Sequence, residues 1–206
     1  MAKVRVHNFT ITLDGYATGP NQRLDAPFGD GMEGLHDWMF AAIEDGATGL
    51  DSERARRWAQ NIGATIMGRN MFSPQRGPWE DESWTGWWGP NPPYHHPVFV
   101  HTHHLRPDIA MEGGTTFHLT DEPPAKVLDR AFAAANGQDV IIGGGATTIQ
   151  QYLRADLIDE LNLAIVPLLA GAGVRLFDNL DGALTQYRVA DLSTSDAATH
   201  VRLVRR

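Results

Sequence analysis

Residues 4–13 open the chain with β-branched side chains at a strand's length, and their even positions change from Val4 and Val6 to Asn8, Thr10 and Thr12. One face of this strand is expected to begin in a core and end in something polar. Asp14 and Gly15 break the pattern, and residues 18–34 form a loop rich in Gly, Pro and Asp, long enough to suggest a function. Leu35, Trp38, Met39, Ala42 and Ile43 then fall at i, i+3, i+4, i+7 and i+8, the stripe of an amphipathic helix that Gly46 would end. Ala55, Trp58, Ala59 and Ile62 repeat the stripe, with Asp51 or Ser52 as N-cap and Gly63 in the left-handed position after the helix.

Residues 64–67 make a short strand running into Gly68 and Arg69, and residues 97–101 make another, apolar enough to be buried on both faces. Between them, residues 73–96 are irregular: they hold five prolines and four of the chain's six tryptophans, Trp79, Trp84, Trp87 and Trp88. Residues 115–119 read as a strand, 123–136 as a helix stopped by Gly137, and 139–142 as a strand meeting Gly143, Gly144 and Gly145. A helix begins directly after the glycines. Residues 160–169 are the most apolar run, and two strands near 187–192 and 199–204 are placed to form a hairpin. This alternation predicts an α/β fold in one domain over residues 1–206: a mostly parallel central sheet, helices on both faces and an antiparallel C-terminal hairpin.

Composition narrows the functions. With 206 residues, 42% of them hydrophobic and 20% charged, the chain can fill one core and is neither disordered nor fibrous. The net charge is −8 and the 17 basic residues are scattered, so nucleic acid is not an expected partner. The absence of cysteine removes disulfides, thiolate nucleophiles and Cys-based metal sites. The amino terminus, from Met1, enters a strand pattern without a signal-peptide character, and no apolar run reaches the ~20 residues of a membrane span. A cytoplasmic protein without membrane partners is the expectation.

Chemistry concentrates at glycines. Gly143, Gly144 and Gly145 let a backbone approach a pyrophosphate while the next helix points free amides at it; a tight strand-to-helix turn needing positive φ explains the same residues, and both readings stay open. Gly68 followed by Arg69 offers a second set of amides and a bidentate donor, or merely a surface arginine. Five histidines lie between His95 and His104, but no nearby Asp, Glu or Cys completes a metal set, so no metal is expected. Thr102, His103, His104 and Arg106 instead suggest a small cationic cup at a strand end. The tryptophan loop reads as a self-packed excursion or as an aromatic wall or lid over a flat substrate; on the second reading Trp79 and Trp84, with Thr12 and Phe40, line the substrate pocket.

Taken in register, residues 12–15, 66–69, 98–102, 141–145, 157–161, 166–169 and 171–177 resemble the dihydrofolate reductase superfold, a three-layer sandwich, and more closely the reductase half of the bifunctional riboflavin-biosynthesis deaminase-reductase. The resemblance spans nearly the whole chain. It implies an NADPH-dependent reductase of a small flat heterocycle or carbonyl compound, similar to 5-amino-6-(5-phosphoribosylamino)uracil reductase, acting as a homodimer. It also implies that Gly143, Gly144, Gly145, Ala146, Thr147, Thr148 and Gln150 hold the pyrophosphate side of NADPH. Gly68, Arg69 and Met71 would support the adenosine side; the strand end at Thr102, His103 and His104, with donors and no acid until Asp108, is the expected reader of its 2′-phosphate. Thr18 and Gly19 would belong to a loop closing near the nicotinamide. Hydride transfer needs no protein nucleophile, so the catalytic candidates, Asp14, His36 and Asp37, are proton donors by position only. Folate reductases carry a carboxylate on the first helix; Asp37, the nearest here, lies opposite the apolar stripe, which His36 and Phe40 flank. The rival readings are a pterin reductase and a nucleotide-binding protein without turnover.

Overall fold

The computed structural model describes residues 2–57, 60–182 and 186–206. Its spine is a nine-stranded sheet. The strands, in chain order, are β1 (Val4–Thr12), β2 (Tyr16–Thr18), β3 (Ile62–Gly68), β4 (Pro97–His101), β5 (Ile109–Ala110), β6 (Thr116–Thr120), β7 (Asp139–Gly144), β8 (Glu160–Val166), β9 (Val174–Arg175), β10 (Tyr187–Thr194) and β11 (Thr199–Arg205). The large sheet runs β10-β11-β8-β1-β7-β3-β4-β6-β5, while β2 and β9 pair separately. All contacts from β8 to β6 are parallel; β10, β11 and β5 add antiparallel edges. The mostly parallel sheet and the C-terminal hairpin expected from the alternation are both present.

Among the described residues five α-helices cover the sheet: α1 (Asp37–Ile43), α2 (Leu50–Arg56), α3 (Arg69–Phe72), α4 (Pro124–Ala135) and α5 (Ala146–Arg154). Val127, Leu128 and Ala131 of α4 and Ile149, Tyr152 and Leu153 of α5 bury one side of the sheet, against Ala64, Ile66, Val140 and Ile142. Across the sheet are two smaller clusters. Leu35, Trp38, Ala42 and Ala55 pack on Ala164 and Val166, and Phe72, Tyr94 and the tryptophan loop pack on Met67, Val98, Val100 and Phe117. These two caps do not meet over the middle of the sheet, and the gap between them is where a cleft opens.

The second helix departs from its predicted span. It starts at Leu50 after Gly49, so Asp51 and Ser52 are within its first turn, and it ends by Arg56. Ile62 and Gly63 belong to β3; a Cβ on Gly63 would lie 2.3 Å from the Ala135 carbonyl oxygen, so glycine there permits strand-to-helix contact rather than a helix stop. Trp58 and Ala59, read as part of that helix, lie outside the described residues. In the first helix, Leu35 is buried ahead of Asp37 and Ile43 is 53% exposed, so the stripe runs partly outside the helix.

One buried ion pair anchors the hairpin to the core sheet. Glu160, 5% exposed on β8, accepts from Arg202 Nε at 3.0 Å and Nη2 at 2.9 Å, and from Asn162 at 3.0 Å. Burial pushes this carboxyl up, but Arg202 and Asn162 outweigh it and hold it near about 2. Arg202→Met should therefore cost about 2–3 kcal/mol at pH 7, by removing two charge-assisted hydrogen bonds and leaving the buried carboxylate to Asn162 and the longer Lys3 contact at 3.9 Å. The loss should shrink at pH 3, where Glu160 in the variant protonates but in the parent stays ionised. Urea midpoints of both proteins at the two pH values check this; an equal loss at both would show that the pair does not act through the charge on Glu160.

Candidate functional site

A cleft of about 1090 Å³ opens between the two caps. It has an outer half along the carboxyl ends of the strands and an inner half on the face of the sheet. Gly144 to Thr148 at the end of β7, Gly68 and Arg69 after β3, His101 to His104 at β4 and Thr120 to Glu122 at β6 line the outer half. From β7 to β6 is three strand spacings, about 14 Å, so these ends form a continuous shelf.

The shelf depends on backbone contacts. A Cβ on Gly68 would sit 2.2 Å from Thr148 Oγ1, so β3 ends directly against the first turn of α5. Gly144 has φ +129°, and its Cβ would meet the Phe9 ring at 2.9 Å. Gly145 differs: it is the N-cap of α5, offers no side-chain cap, and a Cβ on it would meet nothing within 4 Å. The amides opening α5 are thus reached across bare backbone, the geometry that suits an anion.

Arg69 stands at the far side of Gly68. It is 9% exposed, its Nη1 donates to the Gly77 carbonyl at 2.6 Å, and Nε and Nη2 are buried without a hydrogen-bond partner. Burial lowers its pKa, with Arg76 and Arg106 adding to the effect. Arg69 lies 3.6 Å over the Trp79 ring and Arg106 lies 4.3 Å from the same ring, so Trp79 separates two guanidinium groups. Unmet donors of a buried cation are costly, and an anionic ligand would satisfy them.

The inner half rests on a strand irregularity. The β1–β8 register shifts between Val6 and Phe9, and Asn8 adopts φ 52°, a bulge that turns His7 and Asn8 toward the cleft. Opposite stands α1, whose His36, Met39, Phe40 and Ile43, at i, i+3, i+4 and i+7, face the cleft while Trp38 and Ala42 face the core. The His36 ring stacks on Phe28 with centroids 4.2 Å apart, and its Nδ1 is buried without a partner. Burial holds His36 at about 4; burial and Arg5 do the same for His7, and burial and His95 for His96, which is 2.8 Å from Thr65 Oγ1.

Thr18, Gly68, Arg69, Met71, Thr102, His103, His104, Gly143, Gly144, Gly145, Ala146, Thr147 and Thr148 all line the cleft, as do His36 and Phe40. The remaining candidates do not. Gln150 faces away and donates to the Arg175 carbonyl at 2.8 Å, tying β9 down; its neighbour Gln151 lines the cleft instead. Gly19 is packed under the loop, where a Cβ would lie 2.2 Å from the Asp30 carbonyl oxygen. Asp14 accepts from Thr12 Oγ1 at 2.5 Å and from the amides of Ala170 and Gly171, which hold its carboxyl near about 2 and make it a loop clamp rather than a proton donor to the cleft. Thr12 is buried in the same clamp, and Asp37 is exposed outside the cleft.

The tryptophans divide. Trp79 donates to the His104 carbonyl at 2.7 Å and Trp84 to the Phe72 carbonyl at 2.9 Å, so both are packing residues, while Trp87 and Trp88 line the cleft. Arg106 donates to the Trp84 carbonyl and leaves the cationic cup, and the Thr102 hydroxyl accepts from His104 N in a local turn. Among the described residues no group of three His, Cys, Asp or Glu is placed to hold a metal. Likewise, no described helix is long and apolar enough to cross a membrane. Sequence reading missed His7, Phe28, Tyr94, Asp121 and Gln151 in the lining. The second α1 stripe, 36, 39, 40 and 43, was visible as a helical period; the others come from loops and strand ends without one.

Comparison with known proteins bears on this site. The family model described as the RibD C-terminal domain matches residues 3–201. A candidate riboflavin biosynthesis protein from Shewanella sp. PV-4 superposes with a TM-score of 0.66 at 21% identity, covering 100% of this chain and 99% of that one. A diaminohydroxyphosphoribosylaminopyrimidine deaminase/5-amino-6-(5-phosphoribosylamino)uracil reductase from Thermotoga maritima gives 0.53 at 14% identity, over 100% of this chain and 57% of its own. Dihydrofolate reductase from Enterococcus faecalis, complexed with NADP(H) and RAB-propyl, gives 0.54 at 15%, over 100% and 96%. At such identities the superpositions show the shared fold.

The neutral imidazoles make a pH prediction. In the fold His7, His36 and His96 take up a proton only near about 4, whereas in the unfolded chain they do so near 6.5. The unfolded state binds more protons between these values, so stability should fall as pH drops from 6.5 toward 4. Their ring-proton NMR resonances should stay flat from about pH 8 to 5.5, outside the usual histidine range. A His36 resonance titrating near 6.5 would mean that the inner cleft is wet and polar.

Proposed function

We propose that this chain, which belongs to the RibD C-terminal domain family, is an NADPH-dependent reductase of a small flat heterocycle or carbonyl compound. The family is related to the riboflavin-pathway reductases, which makes a reductase the natural activity. The observation that carries the cofactor is the pair of buried, partnerless Arg69 donors on the same shelf as the open α5 amides. One end fits the adenosine phosphate and the other the pyrophosphate of a dinucleotide, and no side chain blocks the approach at Gly145.

Bound NADPH would supply a hydride, so the protein has no need of a nucleophile. The chain's own work is binding, orientation and exclusion of water. The Ala146 and Thr147 amides and Arg69 hold phosphate oxygens. The 18–34 loop, reaching Arg76 through Gln22 at 3.4 Å, closes the mouth. His36, neutral at pH 7, can donate or accept one hydrogen bond in the inner half but is a poor source of a full proton.

The cofactor's 2′-phosphate favours NADPH over NADH. Glu122, a cleft carboxylate, is held by Arg130 and Thr120, and Asp121 stands exposed at the rim, whereas Arg69 and His103 face the shelf. A pterin reductase is disfavoured, because Asp37 stands outside the cleft and the inner half has no carboxylate among its described residues. A homodimer is part of the same proposal; Val189 and Leu192, each 62% exposed on β10, supply an apolar edge for it.

Gly145→Val should reduce NADPH affinity at least ~100-fold while leaving the protein folded, with a loss of about 1 kcal/mol for valine at the N-cap, because a Cβ there meets no protein atom and points into the space of the ligand. Gly144→Val should instead destabilise the fold by strain at φ +129° and against Phe9. NADPH should bind at least ~10-fold tighter than NADH, about 1.4 kcal/mol. Arg69→Gln should narrow that gap by weakening NADPH, as should added salt. Thermal melts and calorimetric titration of the four proteins read all of this, and a folded Gly145→Val protein with unchanged NADPH affinity would refute the assignment of the shelf.

A further inference from the structure

The two halves of the cleft differ in charge. Among the described lining residues the cations are Arg69 and Arg76, and both belong to the outer half or its mouth. They lie close enough for Arg76 to depress the Arg69 pKa. Arg76 is already engaged: its Nη1 donates to the carbonyls of Ser73, Pro74 and Gln75, and its Nη2 to Gln22. Nothing of this kind lines the inner half.

What lines it is apolar or neutral. Met39, Phe40 and Ile43 beside the β1 bulge and Trp88, Pro93 and Tyr94 of the other cap line it. Phe40 and Ile43 are 50% and 53% exposed, an apolar surface open to water that a flat ligand would bury. The polar groups are mostly occupied. Asn8 Nδ2 donates to the Ala55 carbonyl at 3.1 Å, Thr10 Oγ1 accepts from Trp38 at 3.1 Å, and Thr65 is paired with His96. Burial keeps His7 and His36 uncharged. The acid in the first turn of α1, Asp37, would repel an anion approaching that end.

We propose that the inner half takes an uncharged, flat carbonyl- or imine-bearing compound and excludes one carrying a phosphate ester. This rests on the reductase reading above and sharpens it. A phosphate dianion placed here would lose its hydration without gaining a lining cation or a set of amides, since Arg5, whose charge reaches His7, is engaged by Asp139 and the Gln60 carbonyl, and the penalty is of the kind that buried unpaired charges incur. The Thermotoga maritima protein is by its name a reductase of a phosphoribosyl compound. This chain would share its fold and differ in substrate class.

The test measures binding to the protein loaded with NADP+ and, separately, to the protein without it, by calorimetry. The probes are matched pairs: 5-amino-6-(ribosylamino)uracil with its 5′-phosphate, and riboflavin with its 5′-phosphate, together with phenanthrenequinone as a flat uncharged diketone. Phenanthrenequinone and at least one uncharged pair member should bind, and each such member should bind at least ~10-fold tighter than its phosphate ester. Phe40→Lys, which adds a cation on the exposed face of α1, should shift each pair toward the phosphate ester by about tenfold if the ligand lies in the inner half. Tighter or equal binding of a phosphate ester overturns the proposal, as does failure of every uncharged probe to bind at millimolar concentration. NADPH affinity, titrated alone, reports on the cofactor reading independently, and the probe pairs in cofactor-free protein keep the two failures distinct.

Discussion

Everything at this site follows from how closely backbone can approach backbone where β3 and β7 meet α5. Gly68 touches the Thr148 side chain, and Gly144 lies against Phe9 and Met71, with no room for a Cβ at either. A side chain at Gly68 or Gly144 would push the helix from the strand ends or fill the floor of the cleft. Because the approach is close, the first turn of α5 opens onto the shelf through Gly145, and Arg69 follows immediately from β3 on its other side. A parallel sheet places such junctions side by side, which is why ligands gather at its carboxyl edge.

The second constraint is that the sheet's other face is covered by two separate caps. α1 and α2 cover β8 and β1, the tryptophan loop covers β3, β4 and β6, and the bulge at His7 and Asn8 falls between them. Trp79, with Arg69 and Arg106 both over its ring, packs in the second cap and keeps Arg69 against the shelf. The loop that looks irregular in sequence therefore has a structural duty that reaches the outer half through Arg69. It also lines the cleft directly, with Arg76, Trp87, Trp88, Pro93 and Tyr94 among its residues.

Strand and helix periods made most of the sheet legible in the sequence, including its mostly parallel character and the C-terminal hairpin though not the strand order, because those signals are local. The glycine junctions were legible as junctions. What sequence could not resolve was side-chain direction set by distant partners. Asp14 looked like a proton donor until Ala170 and Gly171, far along the chain, were found to hold it. Gln150 and Gln151 differ by one step of helix phase, enough to exchange a β9 tether for a cleft position. Trp79 and Trp84 could be told from Trp87 and Trp88 only by the carbonyls that their indoles reach. The neutrality of His36 likewise needs Phe28 and the loop folded over it.

The central claim is that one dinucleotide spans the shelf from α5 to Arg69, and a crystal structure of the protein with NADPH tests it most directly. The account predicts pyrophosphate oxygens about 3 Å from the Ala146 and Thr147 amides, and a 2′-phosphate oxygen at a similar distance from Arg69 Nη2 or Nε. The nicotinamide should point toward the inner half, facing α1. A dinucleotide bound with its phosphates away from the α5 amides, or with Arg69 still unpartnered, would contradict it.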